Sequence, residues 1–185
     1  RNCNWFLITL GCRRGLTFLE QQSEVDGKRL GIRGHSMGGN LTMYVAGSDS
    51  RVKVASPSAG GSGYRTYARY GLLPQIRKVK GDLELFRRTM GYQFYAPRIT
   101  APLLHLGASN DFHGQMDATY ATGAKVKKTV PQRFVFAPHF NHRFYPEQQV
   151  SRILWLDQHL KGGVKLPETP ASELKLKPIP VLRVT

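Results

Sequence analysis

The hexapeptide Gly34-His35-Ser36-Met37-Gly38-Gly39 sets a serine midway between two glycines, behind an apolar stretch and ahead of a helical pattern. That spacing is the nucleophile-elbow pattern. A strand-to-helix turn this tight forces the serine into a strained backbone conformation, tolerable only where its neighbours lack bulky side chains. The Ser36 hydroxyl then projects above the carboxyl ends of the strands. The N–H of Met37 faces the point where an oxyanion forms, and the following helix adds its positive end.

A serine hydroxyl is a poor nucleophile at neutral pH, so it needs a base, and the base needs an orienting carboxylate. With this elbow the chain order is Ser, acid, His. Asp111 follows the apolar strand Pro102–Gly107, in the loop Ala108-Ser109-Asn110-Asp111. One crossover later, the strand Arg133–Ala137 runs into Pro138-His139-Phe140-Asn141-His142-Arg143-Phe144. Parallel strands all end on one edge of their sheet, so both loops open beside Ser36.

Two histidines compete as base. His142, nearer the final helix, is preferred; His139 reads as a residue that packs or hydrogen-bonds the loop. Asp117 is the alternative acid to Asp111, but it falls in the helix after the loop. His105, inside an apolar strand, reads as a core histidine, His35 as packing and His159 as structural; His113, close to Asp111, either lines the site or, the preferred reading, is a surface loop residue. No His/Cys/Asp group has metal-ligand spacing, and no cofactor is implied.

The elements that must position these groups alternate. Arg13–Gln22 fits an amphipathic helix, Arg29–Arg33 a short buried strand, Gly38–Ala46 a helix and Val52–Ser56 a strand before the loop Gly60-Gly61-Ser62-Gly63. Tyr64–Ile99 is irregular, basic and aromatic, with one helix around Asp82–Met90. Its Tyr64, Tyr67, Tyr70 and Phe86 suggest a rim or small cap over the site. Pro146–Leu160 is a helix with proline in its first turn and Gly162-Gly163 beyond its end. Unbroken apolar strands alternating with helices predict an α/β fold, a mostly parallel sheet with helices on both faces.

The bulk composition sets outer bounds. A chain of 185 residues with 41% hydrophobic residues suits one domain with a substantial core. No apolar run approaches the roughly 20 residues that span a bilayer. Cys3 and Cys12 are too few for a disulfide scaffold. The net charge of +15 is dispersed, with short clusters at Arg77, Lys78 and Lys80 and at Lys125, Lys127 and Lys128. It carries no aromatic stacking pattern or recognition helix, so no specific nucleic acid partner is expected. Trp5–Leu10 is a brief apolar run, poor as a signal peptide because Arg13 and Arg14 follow. Leu166–Thr185 holds four prolines, stops in an apolar, β-like stretch and reads as an arm or linker, dividing the chain into residues 1–163 and 164–185.

With GHSMGG at Gly34–Gly39, GASND at Gly107–Asp111, NHRF at Asn141–Phe144 and ILWLDQHLKG at Ile153–Gly162, the chain resembles the α/β-hydrolase superfamily over roughly Arg13–Gly163. It is most similar to the dienelactone-hydrolase-like and acetyl-xylan-esterase-like members. The resemblance implies Ser36 as nucleophile, Asp111 as acid, His142 as base and Met37 as oxyanion donor, acting on a small-molecule or carbohydrate-linked carboxylic ester. The same machinery serves peptidases and thioesterases. Family members have several strands before the elbow and a loop there that supplies a second oxyanion donor. Their absence here predicts a partial domain with an unpaired sheet edge open to self-association. It also leaves the alternative of a catalytically weak core acting as a basic binding or assembly module.

Overall fold

The computed structural model describes residues 3–61 and 82–185. Its centre is a parallel sheet of β1 (Leu30–His35), β2 (Val52–Ser58), β3 (Leu103–Ala108) and β4 (Gln132–Ala137), in that spatial order. Successive residues of a strand face opposite sides of its sheet. Ala55 and Leu103 therefore join one apolar cluster, with Tyr44, Val45 and Ile99. Their neighbours Val54 and Leu104 join the other, around Trp155. Helices cover both faces, as the alternation of elements predicts.

On the first face lies α2 (Met37–Ala46), buried on every side from Leu41 to Ala46. Its outer surface is sealed by α1 (Asn4–Glu20), whose Trp5 ring meets Tyr44 edge-on at 5.9 Å. The expected helix over Arg13–Gln22 is thus only the second half of α1. The run Trp5–Leu10 forms the first half, because Trp5, Thr9, Cys12 and Leu16 recur every three or four residues and make one inward stripe. Asp49 ties α1 to the turn after α2, accepting from Arg51 Nη2 at 2.7 Å and Arg13 Nε at 3.1 Å. The Arg51 hydrogen bonds hold its carboxyl well below the usual carboxylate range.

Between β2 and β3 come α3 (Leu83–Met90), α4 (Tyr92–Tyr95) and a 3-10 turn at Ala96–Arg98. Asp82 starts α3 by accepting the Leu85 N–H at 2.9 Å. The suggested rim aromatics Tyr64, Tyr67 and Tyr70, the side chain of Phe86, Ser62-Gly63 of the glycine-rich loop, and the basic cluster Arg77, Lys78 and Lys80 lie outside the described residues. After β3 comes α5 (Met116–Gly123). The opposite face is covered by α6 (Pro146–Lys161), which ends at Gly162 in the left-handed conformation, φ 70°. Buried Gln148 at its start donates to the carbonyls of Gly107 at 2.7 Å and Val135 at 3.3 Å. One amide thereby pins α6 to β3 and β4, just below the two loops those strands feed.

Two expectations need correction. The Arg29–Arg33 segment is not a buried strand: β1 is a sheet edge, and Gly31 and Arg33 are exposed. β4 is the other edge and only half-buried, although Phe134, Val135 and Phe136 read as core. Within residues 164–185, β5 (Ser172–Lys175) and β6 (Val181–Val184) pair as an antiparallel hairpin, exposed throughout.

Candidate active site

Ser36 joins β1 to α2 with φ 57° and ψ −117°. No side chain enters the left-handed half of φ space without strain, and such strain persists only where the surroundings enforce it. Here the Ser36 N–H is fixed on the Ser58 carbonyl at 2.9 Å. Gly34 lies against the Gly38 carbonyl, and Gly39 against the Ser58 carbonyl, so closely that a Cβ at either would collide with backbone. A Cβ at Gly38 meets nothing within 4 Å. The tightness rests on Gly34 and Gly39, not on the second glycine of the motif itself. Met37 is the first residue of α2, so its N–H has no partner within the helix.

Asp111 stands beyond β3, its side chain fully buried. Its Oδ1 accepts the N–H groups of His113 at 2.7 Å and Gly114 at 2.8 Å, which turns the loop and aims the carboxylate. Beyond β4 the chain turns through His139 and Asn141, at φ 57° and 53°, and brings the His142 ring back over Asp111. His142 Nδ1 lies 3.0 Å from both carboxylate oxygens, and Nε2 lies 2.7 Å from Ser36 Oγ. A carboxylate accepts, so Nδ1 carries the proton, and the Nε2 lone pair receives the Ser36 hydroxyl. Serine, imidazole and carboxylate form one hydrogen-bonded series.

The other candidates fall elsewhere. His139 is exposed and makes its contact through its backbone, its N–H donating to Ser109 Oγ at 3.2 Å. Asp117 lies in the first turn of α5. His105 is 1% exposed, stacked on Phe134 at 4.6 Å, with Nε2 3.3 Å from Gln132 Oε1. Burial lowers its pKa to about 4. His159 sits edge-on to Trp155 at 4.3 Å.

Two histidines lie closer to the site than their sequence context suggests. His113 is not a surface loop residue: half-buried, its ring stands edge-on to His142 at 4.8 Å. His35 lies 5.2 Å from His142, with Nδ1 3.0 Å from Ser58 Oγ. Burial first, then the neighbouring His142, pushes both His35 and His113 toward the neutral form. Phe144 supports His35 from below and carries the Arg152 guanidinium 4.2 Å from its ring centre. Among the described residues no group of three His, Cys, Asp or Glu side chains could hold a metal ion, and no helix is long and apolar enough to cross a membrane.

Ser109, Asn110 and Gln148 received no role from sequence. The first two could have been found by their type, as small polar residues at the carboxyl end of a strand, where hydrogen bonds to a neighbouring loop are made. Gln148 could have been singled out as a polar residue on the inward side of an amphipathic helix.

A parallel sheet with helices on both faces and a serine at a strained strand–helix turn defines the α/β-hydrolase fold of the serine esterase and peptidase type. The chain belongs to the Prolyl oligopeptidase family, whose model matches residues 12–163. It is 26% identical over 161 residues to Acetyl esterase Axe7A of Xylanibacter ruminicola, a match covering 83% of this chain and 36% of that protein. The chain thus spans little more than a third of the length of that curated relative. Among solved structures it is similar to an acetyl xylan esterase from Paenibacillus sp. R4, with 22% identity and a TM-score of 0.66 over 83% of this chain and 52% of that one. It is also similar to the acylaminoacyl peptidase of Pyrococcus horikoshii, with 22% identity and a TM-score of 0.72 over 86% of this chain and 29% of that one.

Proposed function

We propose that this chain carries the reacting core of a serine hydrolase that cleaves carboxylic esters, with residues 1–163 as the catalytic part and 164–185 as an appended arm. The observation that carries the reading is the 2.7 Å separation of Ser36 Oγ and His142 Nε2, on a ring whose Nδ1 lies 3.0 Å from Asp111. Ser36 Oγ attacks the acyl carbon while Nε2 takes its proton, and Asp111 stabilises the imidazolium that results. The carbonyl oxygen gains the negative charge, and the Met37 N–H at the start of α2 supports it. The tetrahedral intermediate expels the alcohol, which leaves with the proton from Nε2. Water, deprotonated by the same nitrogen, then releases the acyl group and restores the Ser36 hydroxyl.

The names of the acetyl esterase and the acetyl xylan esterase support an ester bond and a small acyl group. The similarity to an acylaminoacyl peptidase favours a second reading, in which the same serine opens an amide. Turnover of p-nitrophenyl acetate and of an N-acetylated amino-acid p-nitroanilide, by wild type and Ser36→Ala, tests both. The ester reading predicts hydrolysis of the ester only, lost in Ser36→Ala. Equal turnover by the two proteins overturns the assignment of Ser36, and preference for the anilide selects the peptidase reading.

A further inference from the structure

We infer that Asn110 is a positioning residue for the hydrolytic reaction: its side-chain oxygen accepts the Asn141 N–H at 2.7 Å and so holds the strained turn that presents His142. The inference rests on the reading of Ser36, His142 and Asp111 as the reacting set. After β4 the chain passes through two left-handed residues, His139 and Asn141, within the four that precede His142. Such conformations persist only where the surroundings over-determine them. The loop is exposed from Pro138 to Asn141, and its Phe140 ring packs on nearby Tyr145 at 4.8 Å rather than in either core cluster, so the core does not hold it.

Three consecutive residues of the acid loop hold it instead. The Ser109 N–H donates to the Ala137 carbonyl at 2.9 Å, where β4 ends, and Ser109 Oγ accepts the His139 N–H at 3.2 Å. Asn110 Oδ1 takes the Asn141 N–H, and Asp111 takes the His142 ring at 3.0 Å. The acid loop is therefore a template on which the histidine loop is laid residue by residue. Asn110 makes the shortest of these contacts, on the residue directly before His142. The Arg143 N–H closes back on the Asn141 carbonyl at 2.9 Å, so the peptide groups on both sides of Asn141 are fixed and His142 leaves the turn in one direction. Asn110 is itself exposed, and its replacement opens no cavity in the core. A misplacement of about 1 Å at a reacting group can lower turnover by about 10²-fold.

The test compares wild type, Asn110→Leu, which removes the acceptor at similar volume, and Asn110→Asp, which keeps it. Two quantities are read on the full chain: kcat and KM for p-nitrophenyl acetate, and the low-field proton resonance of His142 Nδ1–H, assigned by its absence in His142→Gln. Asn110→Leu should lower kcat by about 10- to 100-fold with KM within about twofold, and broaden or shift the resonance. Asn110→Asp should restore both. A resonance and a kcat unchanged in Asn110→Leu overturn the inference, as does an Asn110→Asp variant as impaired as the leucine. If wild type turns over no ester yet Asn110→Leu disturbs the resonance, the positioning role stands and the catalytic reading falls.

Discussion

Both carboxylate oxygens of Asp111 lie 3.0 Å from His142 Nδ1, while one of them, Oδ1, also receives two backbone N–H groups from its own loop. The same atom that folds the loop therefore orients the imidazole. Ring direction and tautomer follow from a carboxylate that its own loop holds in place.

Asn in place of Asp111 separates these two tasks. Its Oδ1 still accepts from His113 and Gly114 and stays beside His142 Nδ1, but an NH2 donor now stands at the same distance where a second acceptor was, and the negative charge is gone. Where the NH2 donates to Nδ1, the ring proton moves to Nε2 and Ser36 meets a donor in place of a base; in either tautomer the imidazolium loses its counter-charge. Asp111→Asn should lower kcat/KM by about 10⁴-fold with little change in melting temperature. A loss below tenfold in a folded protein contradicts the assigned role of Asp111.

Glycine replacements separate the motif from its mechanics. Ala at Gly34 or Gly39 drives a Cβ into backbone that cannot yield, whereas Ala at Gly38 enters open space. Urea unfolding should show Gly34→Ala and Gly39→Ala destabilised by about 1–3 kcal/mol or failing to fold, with Gly38→Ala within about 0.5 kcal/mol of wild type. Equal losses at all three sites would contradict the packing of this turn.

Acid should weaken the fold before any carboxylate titrates. Burial holds His105 near pKa 4, against about 6.5 for an unfolded histidine. Between those values the unfolded chain binds a proton that the folded chain refuses. The stability associated with His105 is complete above pH 6.5 and falls as pH drops toward 4, by about 1.4 kcal/mol per unit. The lowered pKa values of His35, His113 and His159 act in the same direction. Urea midpoints at pH 7, 6 and 5 should decline for wild type and decline less for His105→Leu. Parallel slopes would show that His105 does not titrate in this window.

Legibility in the sequence followed the range of the interactions. That Ser36, Asp111 and His142 stand at one edge of the sheet could be read because each follows an apolar strand, and parallel strands share one carboxyl edge. The edge positions of β1 and β4 could not, since Phe134 and Val135 are as apolar as core residues and only the lateral order of strands leaves them half-covered. Trp5–Leu10 resembled a bare apolar run because its inward stripe emerges only when Cys12 and Leu16 are counted with it. His113 offered only its closeness to Asp111 in the chain; the turn that Asp111 Oδ1 closes is what draws it against His142. The hairpin at Ser172–Val184 was obscured by the prolines around it.

The reactivity of one hydroxyl tests the account most directly. A fluorophosphonate probe incubated with the full chain, followed by peptide mass spectrometry, should add a single phosphonyl group at Ser36. Labelling should vanish in Ser36→Ala and slow by at least about 10³-fold in His142→Ala, which keeps the serine but removes the acceptor for its proton. Labelling at another residue, or equal rates in wild type and His142→Ala, would contradict it.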